Sequence, residues 1–315
     1  MNNNYIKAAY FNLPGAFEKK ELLPIILHYF DQNPYMIKNN AYIHSVYGSP
    51  FCVWNGGRIA IPNFYYSKSQ LEEIRDYYNN QNIAIRFTFS NSELSEKHIF
   101  DDYGNLILKI FSNGKNEMIC YSTLLEKYIR DNYKDKFKFI LSTTKKENKE
   151  KTFERNKFNK YDFVCLNYDL NKDFTFLESL EEKDKIELLV NPVCPANCPR
   201  AKQHYKNVSL MQLAICEQNF SLLKKIQEEN IQNKLNCDEK FLFEQKRFKN
   251  FISVKELNSF YLQKGFNMIK IEGRTAFDLN YIDTLIYYLV KNEYQDIAKK
   301  QIQIAYMENL YSHIK

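Results

Sequence analysis

The stretch Ile186-Glu-Leu-Leu-Val-Asn-Pro-Val-Cys-Pro-Ala-Asn-Cys-Pro-Arg-Ala-Lys-Gln-His-Tyr205 decides how the chain is read. It opens as an apolar run, stops at Asn191-Pro192, and meets Cys194 and Cys198 at once. Each cysteine precedes a proline, which removes a backbone donor and stiffens the loop. Cys216 and Cys237 follow, so most of the chain's thiols fall in one segment. Two thiols in a rigid loop behind a strand suggest a soft-metal or iron–sulfur site. The competing reading is that some are buried apolar cysteines, Cys216 above all, since it sits in an amphipathic segment.

Outward from this stretch, short β-rich runs alternate with helical segments. Strands are expected at Ile6–Phe11, Tyr42–Tyr47, Ile83–Phe89, Met118–Tyr121, Phe137–Leu141, Phe163–Leu166, Ile186–Val190 and Met268–Ile271. Helices are expected at about Lys19–Asp31, in the segment ending near Tyr78, around Leu106, over Leu124–Tyr133 and within Lys145–Lys160. Ser69 with Glu72 reads as a capping box. Eight strand–helix alternations predict an α/β fold, a (β/α)8 TIM-type barrel. A doubly wound open sheet is the alternative, but no G-x-G-x-x-G follows the first strand.

One connection is out of scale: the stretch from Val190 to Met268 is several times longer than an αβ unit needs. Residues 192–264 are therefore read as a metal-binding insertion between strands 7 and 8. Within it, Ser209 with Gln212 is read as capping a helix and Ser221–Asn230 as a second. The whole chain, 1–315, is expected to be a single barrel domain whose residues 278–315 form C-terminal helices.

The charge excludes little. A net charge of +6 favours anionic partners, but it is spread along the chain with no basic block, so it does not by itself indicate nucleic-acid binding. The N-terminus lacks a signal peptide and no run approaches a membrane span. Seven cysteines, an odd number, then point to reduced thiols in the cytoplasm.

In a barrel of this type the site lies at the C-terminal strand ends. Strand 8 ends Lys270-Ile-Glu272-Gly-Arg274, with Lys270, Glu272 and Arg274 on one face by alternation. Glu272, Arg274 and Lys270 are the candidate catalytic residues. Glu187 and Lys270 are expected to pair inside the barrel, and Arg86 is either a ligand contact or part of a satisfied polar layer with them. Asn191 ends strand 7 at matching parity. Strand 2 leads into Trp54-Asn55-Gly-Gly-Arg58, where the indole offers a stacking face, the glycines allow close approach, and Arg58 offers a planar donor fork. The alternative is a tight turn around a packed Trp. Trp54, Asn55, Arg58, Arg86 and Asn191 are the candidate substrate contacts. The arginine and glutamate walls are expected about 10 Å apart at the backbone, one strand between them.

The candidate metal ligands are Cys194, Cys198, Cys216 and Cys237. Cys52 competes with Cys216 as the fourth. His204 offers a Cys3His zinc site instead. Cys120 and Cys165 fall inside apolar strands and read as core. No histidine sits near a nucleophile elbow and no G-x-S-x-G occurs, which weighs against a Ser-His-Asp hydrolase.

The strand with its cysteine loop, the long cysteine-containing insertion, and Gly265-Phe266 followed by Lys270-Ile-Glu-Gly-Arg274 resemble the collagenase-like peptidase family, as a divergent branch. The resemblance covers roughly 137–274, and Lys270–Arg274 is its most specific part. It implies a 4Fe-4S cluster on Cys194, Cys198, Cys216 and Cys237, with zinc as the alternative metal. It also implies hydroxylation-type oxidation of a small-molecule or nucleotide-like substrate, with RNA and an electron-donor protein as candidate partners. Two rivals stand beside it. One is a metal-independent or zinc hydrolase with Glu272 or Asp169 as base. The other is a non-catalytic iron–sulfur partner protein. The closer spacing of the first two cysteines and the Trp54–Arg58 loop depart from the family pattern.

Overall fold

A computed structural model describes residues 7–157, 160–234 and 240–312. Eight parallel strands close into a barrel in sequence order. They are β1 Ala9–Pro14, β2 Ala41–Gly48, β3 Ala84–Phe87, β4 Asn116–Cys120, β5 Phe137–Leu141, β6 Phe163–Cys165, β7 Ile186–Leu189 and β8 Met268–Lys270. The α/β TIM-type barrel expected from the alternation is the fold observed, and closure of β1 on β8 excludes the open sheet. Strands such as β3 and β7 are buried along their whole length, as parallel strands covered on both faces must be. That is why they read as apolar runs, each interrupted by one charge, Arg86 or Glu187.

Most strand boundaries shift only slightly. The Lys68–Asn79 helix is capped by Ser67 and Gln70, not Ser69 and Glu72, so it begins a little earlier than the expected box. The larger correction is in the insertion. The helix there runs Ala201–Cys216, which places Ser209 and Gln212 inside it rather than at its start. Both are buried, and they serve as tertiary contacts instead of caps. A second helix, Phe220–Gln232, starts from the Asn219 cap and packs on the first through an Asn207 Nδ2 to Asn230 Oδ1 bond of 2.7 Å. After Ser253 and Glu256 form a capping box, helical turns carry the chain to Gly265. Gly265 takes φ +100° to turn into β8, a conformation glycine adopts without strain.

Helices Asp278–Leu289 and Gln295–Ser312 close the C-terminal end, and Ala298 and Ile302 of the latter are buried. Among the described residues no helix is long and apolar enough to cross a membrane.

Candidate active site at the barrel mouth

Two polar layers stack along the barrel axis. The lower one lies within the strands. Arg86 on β3 is fully buried and donates to both Glu117 on β4 and Glu187 on β7. Asn12 Nδ2 donates to Glu187 Oε2 at 2.8 Å, and Ser45 Oγ to Asn12 Oδ1 at 2.7 Å. Burial opposes ionisation of Glu117, yet the Arg86 guanidinium and His44 outweigh it and hold the carboxyl at about 2. Burial likewise opposes the Glu187 charge, and Arg86 and Lys270 still draw its carboxyl below the ordinary range. Arg86 is therefore corrected from substrate contact to the cation of this internal layer. Lys270 Nζ lies 3.5 Å from Glu187 Oε1 and 4.3 Å from the Tyr47 ring centre, so Lys270 is the upper boundary of the layer.

The second layer is the mouth. Arg58 Nη2 donates to Glu272 Oε1 at 2.5 Å, and the Val193 N–H donates to Glu272 Oε2 at 3.0 Å. Burial works against the Arg58 cation, but the Glu272 charge outweighs it and raises its value above the arginine norm. The expected gap between the two walls is thus bridged by side chains in direct contact. Asn191 fixes the strand-8 exit: its Oδ1 accepts from Glu272 N at 2.7 Å, and its Nδ2 donates to Glu272 O at 3.0 Å.

Arg274 has a different task from Arg58. It is buried and donates to Asn55 Oδ1 at 3.2 Å, to Gly56 O at 3.0 Å, to Thr88 Oγ1, and to Glu18 Oε1 at 3.2 Å. It ties the exits of β1, β2, β3 and β8 together. Burial lowers its value, with Glu18 resisting. Burial raises the Glu18 carboxyl, with Arg274 resisting.

Asn55 completes the tie. Its Nδ2 donates to Arg58 O at 2.6 Å and to Gln212 Oε1 at 3.1 Å. Gln212 also accepts from Ala60 N at 2.8 Å, so the insertion helix is fastened onto the β2 exit loop. Trp54 requires a correction. It is fully buried, its Nε1 donates to His98 O at 2.7 Å, and its ring meets Phe89 edge-on at 5.2 Å. A Cβ at Gly104 would come within 2.6 Å of that ring. Trp54 anchors the loop and offers no stacking face.

Two cavities meet at the Arg58–Glu272 bridge. The larger, of about 340 Å³, is lined by Val193, Cys194, His204, Gln245, Asn280 and Thr284 among others. The smaller, of about 70 Å³, reaches down to Lys270, Tyr47, Ser90 and Ser142. Arg58, Glu272 and Arg274 border both. Wider hollows of about 770 and 1090 Å³ border the strand starts, near Lys7 and Asn40 and near Phe137 and Phe163. They lack converging buried groups and lie at the barrel face where such folds do not place their chemistry.

The cysteines do not assemble as the sequence suggests. Cys198 O accepts from Ala201 N at the start of the insertion helix, whereas Cys216 is its last residue. Its 16 residues at about 1.5 Å each span on the order of 24 Å. Metal–sulfur bonds are only about 2.3 Å long, so Cys216 cannot share an ion or small cluster with Cys198. Cys52, the competing fourth ligand, is also at the Cys216 end, since Gln212 Nε2 donates to both Cys52 O (3.2 Å) and Cys216 Sγ (3.3 Å). Burial pushes the Cys194 and Cys216 thiols up to about 11 and Cys52 up to about 12. Cys237 lies outside the described residues. Among the described residues no three His, Cys, Asp or Glu side chains converge on an ion-sized point, which covers Cys194, Cys198 and His204. The described residues do not fit the four-cysteine cluster. Cys120 and Cys165 are buried within strands.

Asp169, the other candidate base, pairs with the Lys146 ammonium and accepts from Asn197 N at 2.9 Å. Its two oxygens hold the cysteine loop against the β5 exit. Sequence reading missed Glu18, Tyr205 and the Val193 N–H. Tyr205 lines the smaller cavity and meets Tyr168 at 3.1 Å between hydroxyls. None of the three carries a motif, because each is brought in by packing of loops distant in sequence.

No family model matches the chain, and no curated protein matches it. Among solved structures, that of the U32 peptidase Mk0906 is similar over 87% of this chain and 96% of that chain, with 12% identity and a TM-score of 0.49. A likeness of that size does not bear on function.

Proposed function

We propose that this barrel carries out acid–base chemistry on a small polar substrate held in the larger of the two mouth cavities, with Glu272 as the proton-transferring group. One observation carries the reading: the Glu272 side chain, 19% exposed, borders both cavities while a guanidinium and a backbone N–H hold its two oxygens. Such anchoring fixes the carboxylate in one orientation, which general acid–base catalysis needs. Arg58 supplies the planar donor fork beside it, so charge developing on a substrate oxygen there is stabilised by a cation already in place. Asn191 and Arg274 position the loops that carry these groups, without facing the substrate's reacting atoms. The reading belongs to the hydrolase class rather than to hydroxylation, because its working groups are the carboxylate and the guanidinium and the thiols are not used.

The test is turnover across a panel of small esters, amides and hydroxy acids, compared between the natural chain and Glu272→Gln. Any activity should fall by about 10²–10⁴-fold in the variant, the usual worth of a positioned acid or base, while ligand binding is retained. Activity that survives Glu272→Gln unchanged removes the proposal.

A further inference from the structure

The smaller cavity has a composition of its own. Four of its lining side chains are charged, and three of these, Lys270, Arg58 and Arg274, are cationic against the single anion Glu272. Glu187 and Glu18, which neutralise Lys270 and Arg274 from behind, do not line it. Arg58 and Arg274 have donors committed to protein acceptors. Lys270 differs. Its side chain is 8% exposed, its one anionic neighbour among the described residues is Glu187 at 3.5 Å, and it otherwise faces the Tyr47 ring. An ammonium has three N–H donors, and the long gap to Glu187 leaves them poorly used. The hydroxyl-bearing Ser90, Thr88, Ser142 and Thr144 line the same space. Gly57, at φ +74°, brings the backbone to its edge.

At about 70 Å³ the cup is about a fifth of the larger cavity's 340 Å³, a space of head-group size. We infer that this cup seats the carboxylate head of the substrate on the Lys270 ammonium and the Ser90 hydroxyl, beneath the Arg58–Glu272 bridge. The inference rests on the acid–base reading of the mouth and narrows its substrate class to small carboxylic acids. The carboxylate's remainder extends past Glu272 into the larger cavity, which brings the bonds next to the carboxylate within reach of the proposed acid or base. The Lys270 charge, already partly offset by Glu187, gains a second and better-placed anion.

Ligand-observed NMR with acetate, acetamide and inorganic phosphate tests this without a known substrate. Acetate should bind, and neutral acetamide should bind at least about tenfold more weakly, the worth of a charge-assisted hydrogen bond. Lys270→Met should weaken acetate by a similar factor and Ser90→Ala by a few-fold. Ser90→Ala removes only one hydroxyl from the cup, so it keeps the test open should Lys270→Met fold poorly. Equal binding of acetate and acetamide, tighter binding of phosphate than acetate, or acetate binding indifferent to both variants overturns the carboxylate seat. Loss of the seat alongside Glu272-dependent turnover of a neutral substrate would leave the acid–base reading standing.

Discussion

The two polar layers of this barrel use the same residue types and do different things. In the lower layer Arg86, Glu117 and Glu187 are at most 1% exposed and pair with one another, although Arg86 Nη2 and Glu187 Oε1 find no hydrogen bond. In the mouth, Arg58 and Glu272 are 24% and 19% exposed and border two cavities. An ion pair sealed inside a barrel has no face left for a ligand, and its partners are set by the need to offset desolvation. A pair at the strand exits keeps one face open. Burial and the neighbouring cavity, not charge itself, separate the sealed arginine–glutamate pair from the one we propose to work.

The comparison can be broken most directly at Arg86. Arg86→Met leaves two buried carboxylates without their cation, and stability should fall by about 3–5 kcal/mol, the usual cost of orphaning a buried charge. Arg58→Met should cost less, because its pair keeps 24% and 19% exposure to solvent. Urea unfolding of both variants measures the difference, and equal losses would erase the distinction between the layers.

Trp54→Ala should come next, at about 3–5 kcal/mol for a fully buried aromatic, with acetate binding preserved in whatever fraction stays folded. A selective loss of binding at unchanged stability would return Trp54 to the site.

The layers should also answer oppositely to acid. Glu117, held at about 2 against an ordinary 4.5, contributes stability that is full above 4.5 and is lost as pH falls towards 2. Glu18 is raised from the same 4.5, so its contribution is present below that value and is lost as pH rises through its folded value. Unfolding curves of Glu117→Gln should show a flatter limb between pH 4.5 and 2. A limb as steep as in the natural chain would mean Glu117 is not the group that titrates.

The smallest effect is expected at Cys216→Ser. Iron and zinc content after anaerobic purification should match the natural chain, because Cys216 stands a helix length from Cys198. Metal lost on that one substitution would show that the thiols meet after all.

The barrel itself was written in the sequence, because strands covered on both faces are mostly apolar, and eight such runs, some carrying one inward charge such as Arg86 or Glu187, punctuate the chain. Lys270-Ile-Glu272-Gly-Arg274 could be placed at the mouth from alternation alone, since period 2 fixes which side chains share a face. The 192–264 connection likewise announced itself by length. What the sequence left open was decided by distances that no local pattern encodes. Cys198 and Cys216 look like neighbours in a list of thiols, yet an unbroken helix between them sets them apart. Its start at Ala201 was hidden because Arg200 offers no capping side chain. Trp54 read as a stacking platform because a glycine-rich loop and an indole can serve either purpose. Only the absence of a side chain at Gly104, far along the chain on the Asp102–Phe111 helix, makes the pocket that swallows it. Arg58 and Glu272 were each legible as candidates. Their contact depends on two loops 214 residues apart that meet only because β1 pairs with both β2 and β8 when the barrel closes.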